Sequence, residues 1–196
     1  MIQSGLLAYA VLRATTKGFR MLLKIIIVSA TSALLLSACA SVPSVESAPN
    51  TAEIPMSHYN GTWLEIARRP MWLTNGCVAG YTIYGPGAKP NEIAIEDGCH
   101  QDTPNGKRKT IKARGILKDA GGNNAKLQAH YPFFITWNYW VLYESPDHSW
   151  FISTDPNMKN LWIYSRTVPS AQARTGMVAK ANDLGYDVSK LEYPAF

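Results

Sequence analysis

At 196 residues, 46% hydrophobic and 17% charged, the chain has room for one large domain or two small ones. Its formal net charge of +5 is unevenly placed: Arg13, Lys17, Arg20 and Lys24 precede Cys39, no Asp or Glu does, and 15 basic residues face 14 acidic ones after it. A near-neutral surface offers no electrostatic footprint for nucleic acid, and that class of partner is excluded.

The stretch MLLKIIIVSATSALLLSACA (21–40) has a lysine near its start, an apolar run and then small residues, the anatomy of a secretory signal. The run is short for a membrane span and is broken by Ser29, Thr31 and Ser32. Residues 1–38 are therefore read as a signal peptide, starting at Met1 or at Met21. Leu36-Ser37-Ala38-Cys39 resembles the lipobox of bacterial lipoproteins. That resemblance implies lipidation at Cys39 and a membrane anchor there; ordinary cleavage at Ala38-Cys39-Ala40 is the competing reading. Ala at position 40, in place of Asp, is similar to lipoproteins sorted to the outer membrane, so the expected location is the cell outer membrane, facing the periplasm. Residues 39–57 are small, polar and proline-bearing, and read as a linker of roughly 65 Å at full extension.

The remainder, 58–196, reads as one domain. Short alternating segments recur from Thr62 onward, separated by Gly, Pro, Asn and Asp clusters, which predicts an all-β fold. Strands are expected near 62–68, 78–85, 91–99, 108–118, 124–131, 136–144, 149–154 and 160–166. Eight strands in hairpin succession fit an antiparallel up-and-down barrel, which removes its edges by closing. One C-terminal helix follows, from Pro169 or Ser170 to Gly185, with Ala173, Met177, Ala181 and Leu184 as the face packed on the barrel's outside.

Following the chain up and down such a barrel sorts its connections by end. The lower turns GPGAKP, KDAGGNN and ESPDHS are short and polar. Two upper connections differ: RRPMWLTNG carries Met71, Trp72 and Leu73, and YPFFITW carries Phe133, Phe134 and Ile135. Exposed apolar loops at one end mark a contact surface or a ligand portal; the alternative is that they fold inward as a plug. At the lower end, Trp63 on the first strand and Arg166 on the last become neighbours once the barrel closes, so a cation–π contact between them is expected to seal the floor.

The residues expected to face inward are Glu65 with Ala67, Ala113 with Gly115 and Ala125 with Ala129, mostly small, and larger walls come from Tyr81, Ile83, Ile95, Trp140 and Leu142. Small residues at mid-barrel favour a lumen with room for a ligand. Glu65 is expected to bond a buried Tyr or Asn, with Asn138 as a candidate, or to orient a polar headgroup. Cys77 and Cys99 are equidistant from Ala88 at the turn between the second and third strands, so a bulge-free hairpin would face their sulfurs and allow a disulfide. His100 beside Cys99 lacks the further ligands a metal site needs, and no metal or other cofactor is expected. No phosphate loop, nucleophile elbow or HExxH pattern is present in the sequence.

Gly61-Thr62-Trp63 followed by an Arg late in the last strand resembles the lipocalin family. GTWLEIARRP, NLWIYSRT and LGYDVSKL together are similar to bacterial outer-membrane lipocalins related to apolipoprotein D. The resemblance implies a non-enzymatic barrel that binds, stores or transports lipids such as fatty acids or lysophospholipids. Two other readings stay open: an isomerase-like enzyme on the same barrel, requiring a reactive Cys or an acidic pair in the pocket, and a haem or pigment carrier. Beyond a small apolar ligand and the membrane, a second copy of the chain is a further partner considered.

Overall fold

A computed structural model describes residues 48–196 of the protein. The expected signal peptide, the lipidation at Cys39 and the first part of the linker lie outside the described residues. Eight strands, β1 (Gly61–Arg68), β2 (Cys77–Pro86), β3 (Glu92–Gln101), β4 (Arg108–Leu117), β5 (Lys126–His130), β6 (Thr136–Glu144), β7 (Trp150–Thr154) and β8 (Leu161–Ser165), form a closed barrel in which each pairs antiparallel with its sequence neighbour. Closure comes from β1 against β8. The helix α1 (Ala171–Asp183) follows; Ser170 caps its first turn by accepting from Ala173 N at 3.2 Å, and Gly185 at φ +88° ends it. No helix among the described residues is long and apolar enough to cross a membrane.

Two cores divide the barrel wall. The outer one lies under α1, where Met177 and Ala181 cover Ile66, Ala67, Ile152, Leu161 and Ile163. Ala173, expected on the packed face, is exposed, because only the second half of the helix reaches the barrel. The inner core fills the lower lumen with Tyr59, Trp63, Tyr84, Ile95, Leu127 and Phe151.

The expected linker does not stay free to residue 57. Ala52 N donates to Val141 O at 2.9 Å, Ile54 N donates to Asn123 O at 2.8 Å, and Ile54 is buried in the inner core. Residues 56–59 then form a 3-10 turn under the barrel, with His58 and Tyr59 buried. The chain tail returns at the other end: Glu192 bridges to Arg68, and Ala79 N donates to Ala195 O at 2.7 Å.

Bulges decide which side chains enter the lumen. In β1 the pairing passes from Glu65↔Tyr164 to Ala67↔Ile163, leaving Ile66 as an extra residue. Ile66 and Ala67 therefore both face α1, which corrects the inward placement of Ala67, and Arg68 turns in. In β6, cross-strand pairs put Trp137 with Ala129 and Tyr139 with Leu127, so the lumen takes Trp137, Tyr139 and Val141. Trp140 and Asn138 lie on the outer face, beside Lys126 and Gln128, and Leu142 falls in a bulge beside outward Tyr143. Their expected inward positions are thus wrong by one residue. On β2, Thr82 and Tyr84 point in, which puts Tyr81 and Ile83 on the other side. The Tyr81 ring lies across Gly98, and its hydroxyl accepts from Arg108 Nε at 2.5 Å.

Candidate functional site

Above the packed half the lumen opens into a cavity of about 340 Å³. Strand alternation brings Trp137 and Tyr139 from β6 and Trp162 and Tyr164 from β8 to its wall. These rings are contiguous: Trp162 stands 5.0 Å from Tyr139 and 6.4 Å from Trp137, centroid to centroid. Met71, Leu73 and Ile135 border the cavity from the β1–β2 and β5–β6 connections, so the two apolar loops frame one opening. Beyond it Trp72, Phe133 and Phe134 are 78%, 88% and 103% exposed. The rings of the upper loops do not fold inward as a plug.

One side of the cavity is polar. Asp97 on β3 accepts from Thr82 Oγ1 at 2.6 Å and from Tyr131 Oη at 2.5 Å, and Tyr131 Oη lies 3.1 Å from Tyr139 Oη. Glu65, 8% exposed, binds Arg68, 3% exposed, through Oε1. Arg68 also donates to Glu192 Oε1 at 2.5 Å, Cys77 O at 2.8 Å and Thr74 O at 3.2 Å. Burial pushes the Glu65 carboxyl upward, opposed by the Arg68 guanidinium. Burial also raises Asp97, opposed by the hydrogen bonds from Thr82 and Tyr131. The same burial holds the Tyr131 and Tyr139 hydroxyls protonated.

At the closed end the Arg166 guanidinium lies 3.4 Å from the centroid of the Trp63 ring. Arg166 Nη1 donates to Asn60 O and Thr62 O, both at 2.9 Å, and Trp63 Nε1 donates to His58 O at 3.0 Å. A family model described as a lipocalin-like domain matches residues 54–195. Temperature-induced lipocalin-1 of Arabidopsis thaliana is 33% identical over 148 residues, covering 69% of this chain and 76% of that protein. The chain belongs to the lipocalin family. Solved structures agree in fold: insecticyanin of the tobacco hornworm Manduca sexta superposes with a TM-score of 0.58 at 18% identity, over 76% of this chain and 84% of that one. Lobster apocrustacyanin A1 gives 0.55 at 13% identity, over 76% and 89%.

The lipocalin cavity draws on few of the residues expected to line it. Glu65 faces it, with Met71 at its border. Trp72, Phe133 and Phe134 stand outside the opening. Tyr81 borders it from a strand whose side chain turns away, and Asn138 bonds Gln128 at 3.2 Å on the far face and has no part in binding Glu65. Gly115 is inward but below the cavity, where an added Cβ would stand 2.7 Å from Leu127 Cδ1 and 3.0 Å from Ile95 Cδ1. Gly115 thus admits larger neighbours in place of a void, and Ala113, Ala125 and Ala129 do not border the cavity. Sequence reasoning missed Arg68, Asp97, Trp137, Tyr139, Trp162 and Tyr164. Asp97 had a signal: it stands two residues after Ile95 in an alternating strand, which puts it on the same face.

Cys77 and Cys99 form a disulfide with Cα atoms 5.4 Å apart. They are not directly opposed as the hairpin argument required. Cys77 pairs with Gln101, and a register shift between Val78 and Tyr81 brings the sulfurs together diagonally. With both thiols bonded, the reactive Cys of the enzyme reading is consumed, while an acidic pair, Glu65 and Asp97, is present in the cavity. Among the described residues no group of three or more His, Cys, Asp and Glu could hold a metal ion.

Proposed function

We propose that this lipocalin is a carrier of single-chain lipids, fatty acids or lysophospholipids, that binds, stores or transports them at the bacterial outer membrane. The observation that carries the reading is an aromatic-walled cavity opening between two exposed apolar loops. Its volume lies at the lower end of the roughly 300–1,000 Å³ of small-molecule sites, matching one chain or a headgroup with its first carbons. Each buried methylene contributes about 0.8 kcal/mol, so a chain of ten carbons offers on the order of 8 kcal/mol before the cost of immobilising it.

Lipidation at Cys39 anchors the chain in this reading, and two or more acyl groups are what durable anchoring takes. From Cys39 to Ala52, where the barrel takes hold, 13 residues of chain reach roughly 45 Å. That is enough to let the apolar mouth meet the same membrane. Native mass spectrometry of the protein purified from its own membrane tests the assignment. Co-purified single-chain lipid is the expected result; an empty cavity together with no lipid uptake from vesicles overturns it.

One observation favours a second reading, an isomerase-like enzyme: two carboxylates, Glu65 and Asp97, border the same cavity. Here both are assigned to binding, since each is already engaged by protein donors. Recovery of a chemically altered lipid after incubation, abolished by Asp97→Asn, would favour the enzyme.

A further inference from the structure

The polarity of the cavity runs opposite to what a fatty acid inserted tail-first would need. Its apolar residues Met71, Leu73 and Ile135 frame the opening, whereas Glu65 and Asp97 come from mid-strand positions at its base, one inward step above the packed core at Trp63 and Ile95. Burying an alkyl tail against two carboxyls wastes their solvation. An anionic head fares worse there. The guanidinium that meets Glu65, Arg68, reaches it from the mouth end of β1 and already donates to Glu65, Glu192, Thr74 O and Cys77 O. Lys109, the other cation of the lining, is exposed and lies toward the mouth, opposite Cys99.

What the base does present is acceptors and π faces. Glu65 spends only Oε1 on Arg68; among the described residues its Oε2 has no hydrogen-bond partner, and the side chain, 11% exposed, borders the cavity. Asp97 lies on the neighbouring wall, joined through Tyr131 to the ring array of Tyr139, Trp162 and Trp137. Carboxylates beside several aromatic rings form the environment that holds an ammonium group, by charge and by the ring quadrupoles together.

We propose that the cavity selects a ligand with a cationic head, a protonated or quaternary amine, taken head-first, with its alkyl chain leaving between Met71, Leu73 and Ile135. This rests on the carrier reading but changes its ligand class: fatty acids drop out, and single-chain amphiphiles with an ammonium head, lysophospholipids bearing one included, remain. The chain's exit through an apolar mouth removes the need for the cavity to enclose a whole lipid.

The test uses the full chain carrying Cys39→Ser, which blocks acylation, and three probes of equal chain length below their micellar concentrations: dodecyltrimethylammonium, dodecanol and dodecanoate. Tryptophan fluorescence reports binding, since Trp137 and Trp162 line the cavity. The ammonium probe is expected to bind about tenfold more tightly than dodecanol, with dodecanoate weakest. Asp97→Asn and Glu65→Gln should each shrink the ratio of ammonium to alcohol affinity by about fivefold. Dodecanoate binding as tightly as the ammonium probe overturns the inference and leaves the carrier reading standing. An ammonium preference that survives both substitutions also overturns it, since the cation would then be held elsewhere. If none of the three probes binds, the carrier reading fails and this inference fails with it.

Discussion

Trp63 loses water on every side of its ring, and each replacement can be named. Arg166 covers one face, Phe151 meets it edge-on at 4.8 Å, and the indole N–H donates to His58 O. Replacing Arg166 by Ala removes the cation–π contact and leaves Asn60 O and Thr62 O without their donor. The expected loss is about 2–3 kcal/mol, read as a lower urea midpoint at unchanged slope. Arg166→Lys keeps the charge but not the fork, and should fall between the two.

His58 adds a pH dependence at the same floor. Its Nδ1 lies 2.6 Å from Glu144 Oε1, and its ring is enclosed by Tyr59, Trp63, Tyr84 and Phe151, with no hydrogen-bond partner for Nε2. Burial lowers its pKa from 6.5 despite Glu144, and Arg166 and His148 lower it further. The unfolded chain therefore binds the extra proton first, so stability falls as pH drops below about 6.5, at up to about 1.4 kcal/mol per unit. Glu144 is held below its ordinary 4.5, chiefly by hydrogen bonds from His58 and His148 that outweigh its burial. Its contribution is present above 4.5 and is lost as pH falls through the folded value. In His58→Gln the urea midpoint should stay level between pH 7 and 5; an undiminished slope would remove His58 as the cause.

At the scale of elements, the bulge in β1 decides the site. Without Ile66 as an extra residue, Ala67 would point inward and Arg68 out, leaving Glu65 an unpaired buried carboxyl. Arg68→Ala recreates that situation and should cost about 3–5 kcal/mol, whereas Glu65→Gln with Arg68→Met together should cost much less. A double-mutant cycle on urea midpoints measures the coupling; additive losses would mean the pair is not acting as a unit. Strand alternation in β4 and β5 was readable because polar and apolar residues alternate cleanly there. The register of β6 was not, because TWNYWVLYE is apolar on both faces and Trp140 is covered from outside by Lys126, 4.6 Å from its ring. The bulge at Ile66 leaves no composition signature, so Ala67 and Arg68 beyond it were displaced. The disulfide was legible as a pairing and not as a geometry. Its loss through Cys77→Ser with Cys99→Ser should lower stability by roughly 3 kcal/mol for a loop of this length, measured in the same urea series.

For the molecule as a whole, topology was legible from the recurrence of turns, and the depth of filling was not. Small inward residues read as space from sequence, but in a close-packed interior a neighbour such as Leu127 occupies it. The result is a barrel solid at one end and hollow at the other, with its largest exposed rings at the hollow end. Phe133 and Phe134 hold φ of 60° and 62°, a left-handed conformation that bulky side chains rarely adopt. Both rings are almost wholly exposed, so their packing does not repay that strain within the barrel. A membrane surface would repay it by covering the rings, as the carrier reading requires. Replacing both by Asn, which tolerates this conformation, should leave the urea midpoint equal or higher. It should also weaken partitioning of the Cys39→Ser chain onto phospholipid vesicles by about 30-fold, the equivalent of roughly 2 kcal/mol of lost ring burial. A stability gain with undiminished vesicle binding would place the membrane contact elsewhere on the barrel.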